Sequence, residues 1–283
     1  MHHYVMTLSC PDRPGIVHAV AGALLAAGGN IVENAQFGDE PSRVFCMRTR
    51  FETDISSIDD VRAFLSPVAD RFAGELAVRS EAALPRVLIM VSKMDHCLQD
   101  LLYRWRTGDL AIDIPVVVSN HVDCAELVER HGIPYAHLPV TAATKHDQEA
   151  RLLDLVGEHA IDFIVLARYM QVLSPELCAR FPGRIINIHH SFLPGFKGAK
   201  PYHQAHDRGV KIIGATAHYV TDDLDEGPII EQDVVRVTHA QSAAEYAVIG
   251  RDVERMVLAR AVRYQAESRV LLIGQRTVVF AAH

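Results

Sequence analysis

The stretch "VLIMVSKMDHCLQDLLYRWR", Val87–Arg106, opens with an unbroken apolar run and passes within a few residues into a helix-like piece, Cys97–Arg106. A strand with one wet face alternates apolar and polar residues; an unbroken run is dry on both faces. The pattern recurs in "IPVVVSN" (Ile114–Asn120), "YAHLPV" (Tyr135–Val140), "DFIVLAR" (Asp162–Arg168) and "RIINIHH" (Arg184–His190). Helix-like pieces stand between them at Ala125–His131 and Gln148–His159. Strands and helices in alternation, with the strands apolar throughout, predict a doubly wound, mostly parallel α/β sheet covered on both faces. Ligands of such sheets bind beyond the carboxyl ends of the strands, where strand order reverses.

Upstream the rhythm is different. "YVMTLSC" (Tyr4–Cys10) reads as a strand, and "DRPGIVHAVAGALLAAGGN" (Asp12–Asn30) as a helix with Asp12 as its cap, Pro14 in its first turn and Gly28–Gly29 as its stop. "NIVENAQFGD" and "RVFCMRTRFE" are two strands joined by a turn near Pro41 and Ser42. A helix over Ile58–Phe72 and the strand "ELAVRS" (Glu75–Ser80) complete the run. The order βαββαβ predicts a ferredoxin-like module, an antiparallel sheet with both helices on one face. The unpatterned "EAALPR" (Glu81–Arg86) is the expected linker, which divides the chain into 1–80, a linker at 81–85, and 86–283.

Near the C-terminus a helix from about Ala243 to Glu267 is expected to bury Val248, Val253, Met256, Val257 and Ala261. "RVLLIGQRTVVF" (Arg269–Phe280) reads as a hairpin around Gly274 and Gln275, with Leu271, Ile273, Val278 and Phe280 set against that helix or a neighbouring subunit.

Composition narrows the functions on offer. With 283 residues, 49% of them hydrophobic, the chain can build two cores of ordinary size. A net charge of −7 without any block of Lys and Arg argues against a nucleic-acid partner. No apolar run approaches the roughly 20 residues of a membrane helix, and "MHHYVMTLSC" has no signal-peptide pattern, so a cytoplasmic location away from membranes is expected. Cys10, Cys46, Cys97, Cys124 and Cys178 are odd in number, scattered and never in C-x-x-C spacing. They read as reduced, buried thiols.

Polar residues interrupt the core strands at one place. In "IINIHHSFLPGFKGAKPYHQA" (Ile185–Ala205), Asn187 and His189 share a strand face two residues apart, beyond the point where a crevice is expected. "GATAHYVTDDLDEGPIIEQ" (Gly214–Gln232) adds an acid-rich turn. An amide that donates, an imidazole and a carboxylate such as Asp225 to hold or charge it suit chemistry at an acyl carbon. No G-x-S-x-G elbow is present, so direct attack by water or an amine fits better than an acyl-enzyme. His190 reads as structural. His203 and His206 lie at i, i+3 without a third ligand at known spacing, and no metal is expected.

These motifs carry two resemblances. Tyr4 to about Ser80, through "CPDRPGIVHAVAGALLAAGGNI", resembles an ACT domain, the small module that binds amino acids. The likeness implies an effector near Asp12 and Gly15, at an interface between paired domains, and hence a homo-oligomer. From Arg86 to roughly Glu267, the N-x-H, S-x-L-P-x-F and D-x-L-D-x-G-P elements resemble the folate-dependent formyltransferase family. That family includes the glycinamide ribonucleotide and methionyl-tRNA formyltransferases. The resemblance implies Asn187, His189 and Asp225 as catalytic residues. It makes Met170, Gln171, Val172 and Leu173, with Val220, Thr221, Asp222 and Asp223, the walls of a folate pocket, and puts His218 beside it.

One departure matters. Where the glycinamide ribonucleotide enzyme has a glycine-rich phosphate loop, this chain has "VSKMDHCLQDLL" (Val91–Leu102), with no glycine and with Met94 and Asp95 expected to crowd and repel a phosphate. An ACT-like module ahead of such a domain resembles the formyltetrahydrofolate deformylase family. That likeness implies a hydrolase of a linear amide, converting 10-formyltetrahydrofolate to formate and tetrahydrofolate and balancing folate pools for purine biosynthesis. No cofactor is expected beside the folate substrate. Two other readings stay open: a formyltransferase to an amine without phosphate, and a folate or amino-acid sensor without catalysis. Lys197 and Lys200 are either solvated or attract the folate's glutamate tail.

Overall fold

The structure is a computed structural model and describes residues 1–195 and 201–281, so Lys197 and Lys200 lie outside the described residues. The chain divides into two compact units. One comprises Met1–Leu84 together with the residues from Glu267 onward, and the other Pro85–Ala266.

In the first unit β1 (His2–Pro11), α1 (Ile16–Ala26), β2 (Asn30–Asp39), β3 (Val44–Thr53), α2 (Ile58–Phe72) and β4 (Glu75–Ser80) follow in the expected order. The four strands form one antiparallel sheet in the order β2-β3-β1-β4. Alternate residues of β1, namely Tyr4, Met6 and Leu8, meet Ile16, Val20 and Leu24 of α1 and Val61, Leu65 and Phe72 of α2. The helix α1 starts later than the capping pattern suggests. Its N-cap is Gly15, at φ 95, with no side-chain cap; the Asp12 carboxylate instead lies beside Gly38 and its N–H donates to Arg43 O at 2.8 Å. Its end is as read: the Gly29 N–H reaches back to Leu24 O at 2.8 Å, past Gly28 at φ 63.

The second unit carries β5 (Arg86–Val91), α3 (His96–Thr107), β6 (Asp113–Ser119), α4 (Ala125–Glu129), β7 (Tyr135–His137), α5 (Lys145–Glu158), β8 (Phe163–Leu166), α6 (Pro175–Arg180) and β9 (Ile185–His189). It continues with α7 (Pro201–Asp207), β10 (Ile212–Tyr219), β11 (Ile229–Arg236) and α8 (Ala243–Ala266). Its seven strands run in the order β11-β10-β9-β8-β5-β6-β7. The five from β9 to β7 are parallel, and β10 and β11 add an antiparallel edge. Val87, Leu88, Ile89 and Val91 of β5 are fully buried, as a central strand covered on both faces must be. Leu88 and Met90 face Leu152 and Leu155 of α5 and Leu177 of α6. Strand order reverses between β5 and β8, which opens the crevice at their carboxyl ends.

Helix α8 buries Val253, Val257 and Ala261 as expected, but Val248 and Met256 are exposed and a charged residue, Glu254, is buried in their stead. After α8 come β12 (Val270–Ile273) and β13 (Arg276–Val279), a hairpin turning at Gly274–Gln275. This corrects the placement of 267–283 in the second domain. Leu271 and Ile273 pack on Cys46 of β3, with Val44, Val278 and Phe280 around them, on the face of the sheet turned from α1 and α2. Ion pairs fix it there: Arg269 to Glu33 at 3.0 Å and Arg276 to Asp39 at 2.7 Å. The buried Arg48 donates to Glu267 O from Nε and Nη2. The hairpin signal was in the sequence; its docking site was not, because Val44–Met47 of β3 is apolar on both faces and offers either to a partner. All five cysteines are buried and unpaired.

Candidate active site

Asn187 and His189 sit on β9, and β10 runs antiparallel beside it with His218 directly opposite Asn187. Cross-strand partners point to the same face, so the two side chains meet, Asn187 Nδ2 lying 3.2 Å from His218 Nε2. His218 Nδ1 donates to Tyr219 O at 2.9 Å, which leaves Nε2 as an acceptor for the amide. Burial pushes the His218 imidazole down from its ordinary pKa and keeps it neutral in that role. The carboxamide is thereby turned with its NH₂ toward His218, one N–H spent on the imidazole and the other left for a ligand.

Asp225 arrives from the loop between β10 and β11. It has φ 57, a left-handed conformation that aspartate tolerates, and the turn after it closes tightly: a Cβ on Gly227 would lie 1.8 Å from Tyr219 O. The D-E-G-P element is therefore a geometric device that swings one carboxylate back over β9. Asp225 Oδ2 stands 3.2 Å from His189 Nδ1, and Oδ1 is 3.7 Å from His218 Nε2. Burial raises the Asp225 carboxyl, but the hydrogen bond from His189 and the neighbouring imidazoles outweigh it and hold the pKa below the usual range. His189 is 4% exposed, and its Nε2 has no hydrogen-bond partner among the described residues. The loop after β9 is tied by Thr216, which accepts from Leu193 N–H and donates to Ser191 O.

These groups open on a cleft of about 640 Å³, the size of a small-molecule site. Asn187, His189, Asp225, His218, Met170, Gln171, Val172, Leu173, Val220, Thr221, Asp222 and Asp223 all line it. The residues expected for catalysis and for the walls of the folate pocket are thus gathered in one hollow. Met170, Val172 and Leu224 are more than half exposed there, an apolar lip suited to a flat ring. Asp12 and Gly15 share an open depression in the first unit with Arg13 and His18.

Several lining residues escaped the sequence reading. Met94 lines the cleft as expected, but Asp95 does not; it accepts from Gln99 Nε2 at the start of α3. Beside Met94 stand Arg168, Tyr202 and Glu254. Glu254 Oε1 accepts from Tyr202 OH at 2.6 Å, while Oε2 lies 2.9 Å from His96 Nε2 and 3.4 Å from Arg168 Nε. Burial raises the Glu254 carboxyl, and His96, Arg168 and Tyr202 together bring it below its ordinary value. A Cβ on Gly250 would come 2.1 Å from the Tyr202 ring, so the glycine makes room for the tyrosine on α8. A charged residue four places after a glycine, inside the apolar face of a helix, was the available signal. Among the described residues, ligand atoms of His96, Cys97 and Glu254 lie within 4.8 Å of one another, but Glu254 is already engaged by His96 and Tyr202. His203 and His206 do not form such a group.

Residues 85–262 match the family described as Formyl transferase, and residues 4–63 match the ACT domain family. Over 98% of its length the chain is 49% identical to the formyltetrahydrofolate deformylase of Corynebacterium sp. (strain P-1), of which 97% is covered. The crystal structure of the deformylase from Burkholderia mallei superposes with a TM-score of 0.95 at 54% identity, covering 99% of this chain and 100% of that one. The deformylase from Pseudomonas syringae pv. tomato gives 0.97 at 48%, with coverages of 99% and 95%. No helix is long and apolar enough to cross a membrane among the described residues. Near-half identity along both whole chains, the shared two-unit fold and a cleft built from the expected residues lead to one conclusion: the chain belongs to the formyltetrahydrofolate deformylase family.

Proposed function

We propose that the cleft hydrolyses 10-formyltetrahydrofolate to formate and tetrahydrofolate, with Asn187, His189 and Asp225 as the catalytic residues. The observation that carries this reading is the His189 ring: Nδ1 is held by Asp225, and Nε2 is buried, unpartnered and next to the Asn187 amide. With Nδ1–H donating to the carboxylate, the neutral ring presents a lone pair at Nε2. Water attacking the formyl carbon gives its proton to that nitrogen. The carbonyl oxygen becomes an oxyanion, which meets the free N–H of Asn187. Asp225 holds the imidazolium so formed. The C–N10 bond then breaks, the imidazolium returns its proton to N10, and formic acid loses its own proton to become formate.

Met170–Leu173 and Val220–Asp223 hold the pteridine in this reading, with apolar side chains against its faces. The crowding of the space beside Met94 by Arg168 and Tyr202 favours water over an amine acceptor. An amino-acid effector at Asp12 and Gly15 is part of the same proposal, supported by the match to the ACT family and the depression at that turn.

Release of formate from 10-formyltetrahydrofolate by the purified protein, without any acceptor, is the test. Asn187→Ala removes a donor worth about 3 kcal/mol of barrier and is expected to lower kcat by roughly two to three orders of magnitude. Near-wild-type turnover in that variant would reject the assignment.

A further inference from the structure

Arg168 fills space in the reading above but takes part in none of its chemical steps, yet it is placed at a cost. It follows β8 by two residues, at φ 65, in a left-handed conformation that a residue with a long side chain rarely adopts. Its backbone is pinned there by the Ser92 N–H, which donates to Arg168 O at 3.2 Å. The side chain is 8% exposed and lines the cleft. Among the described residues Nε and Nη1 make no hydrogen bond, and Nη2 has only the Met94 sulfur at 3.7 Å. Glu254 stands 3.4 Å from Nε and balances the charge of Arg168 as an ion pair without a hydrogen bond, while its oxygens accept from Tyr202 and lie beside His96. A guanidinium in this state is a planar fork of donors, dry and paired in charge at its Nε edge, with an Nη edge that meets no oxygen among the described residues.

The cleft supplies an acceptor of the right shape once per turnover. Formate is the smallest planar carboxylate, and it forms as an anion beside the carboxylate of Asp225, where like charges repel. From His189 the rings lead toward Arg168: His190 lies 5.1 Å from His189 and 6.2 Å from Tyr202, whose hydroxyl bonds Glu254. We propose that Arg168 is the donor of a small-carboxylate subsite in the cleft that receives the formate product, an inference that rests on the hydrolytic reading above. The substrate's formyl group is neutral, and the glutamate carboxylates lie at the far end of the folate, so at the reacting end the subsite engages only after the C–N10 bond has broken. The anion leaves the neighbourhood of Asp225 for a cation in the same hollow.

The test uses the full chain, measuring inhibition of hydrolysis by sodium formate at an ionic strength held constant with sodium chloride. In Arg168→Gln the inhibition constant for formate is expected to rise about tenfold, with KM for the folate within about threefold, because a bidentate charge-assisted contact is lost only to the product. Arg168→Lys keeps the charge without the fork and is expected to fall between, at about threefold to fivefold. Should Arg168→Gln fail to fold, the lysine variant decides alone. An unchanged constant in the folded variants, or chloride inhibiting as strongly as formate, overturns the proposal. Line broadening of ¹³C-formate by the folate-free protein gives a readout independent of turnover. Broadening that disappears in the variants supports the subsite even if the folate is not hydrolysed, in which case the functional reading fails and this one stands. No broadening by the wild-type protein up to about 100 mM, beyond the millimolar end of the affinity scale, also overturns it.

Discussion

Replacing Asp225 by asparagine keeps the size and a hydrogen bond to His189 while deleting one charge. At 3.2 Å a carboxylate and an imidazolium attract by about 5 kcal/mol at an effective dielectric near 20. The side chain of Asp225 is 11% exposed, so water screens the pair only in part, and about 4 kcal/mol is the expected loss when His189 takes its proton in the transition state. That is about a thousandfold in kcat. The amide can also donate to Nδ1, which would put the proton on Nε2 and block its service as a base. Formate release at pH 7 is the assay, with thermal melting as the control for folding. The Asp225 carboxyl is held below its ordinary pKa, so its stabilisation is complete above about pH 4 and is lost as pH falls through the lower folded value. Titration therefore plays no part at pH 7. A folded Asp225→Asn protein within tenfold of wild-type kcat would refute the reasoning.

Three further outcomes are expected. Gly227→Ala drives a Cβ to 1.8 Å from Tyr219 O, so the turn must open and carry Asp225 away; kcat should fall at least as far as in Asp225→Asn, and unchanged turnover would show that the turn does not set the carboxylate. His190 is pushed down to about 3 by burial and by the charge of Arg168, so the unfolded chain binds a proton that the folded one refuses. Stability should then climb between about pH 4 and 6 by up to about 1.4 kcal/mol per pH unit on this account, and His190→Phe should flatten that slope in urea titrations. An equal slope in both proteins would contradict it. Deleting the hairpin from Arg269 onward uncovers Cys46, which is fully buried, and the thiol should become open to disulfide-exchange reagents under native conditions; a silent Cys46 would count against the docking described.

The division of what could be read from the chain follows the range of the forces involved. Strands such as Val87–Val91 and the helix Ile58–Phe72 announce themselves because their periodicity is local. The Asn187 and His189 pair was legible for a similar reason: two polar residues on one face of a dry strand have to be explained. Asp225 required the second motif, and its reach across to β9 depends on backbone geometry at Gly227 that no pattern of polarity encodes. Arg168 looked like the end of a strand, and Glu254 left only its place within the apolar face of α8 as a sign; the tertiary packing makes them buried partners. Capping chemistry misled at Asp12, where Gly15 starts α1 with its backbone alone and the aspartate turns to the neighbouring strand.

The hairpin at the end of the chain bears on how the protein is made. Synthesis delivers the four-stranded sheet first, with Cys46 and Arg48 facing outward, and supplies their cover only after the whole Pro85–Ala266 unit has left the ribosome. The first unit is finished only by residues that follow the second. A chain that lacks Arg269–Phe280 therefore presents a half-clad sheet with a buried-type arginine in the open.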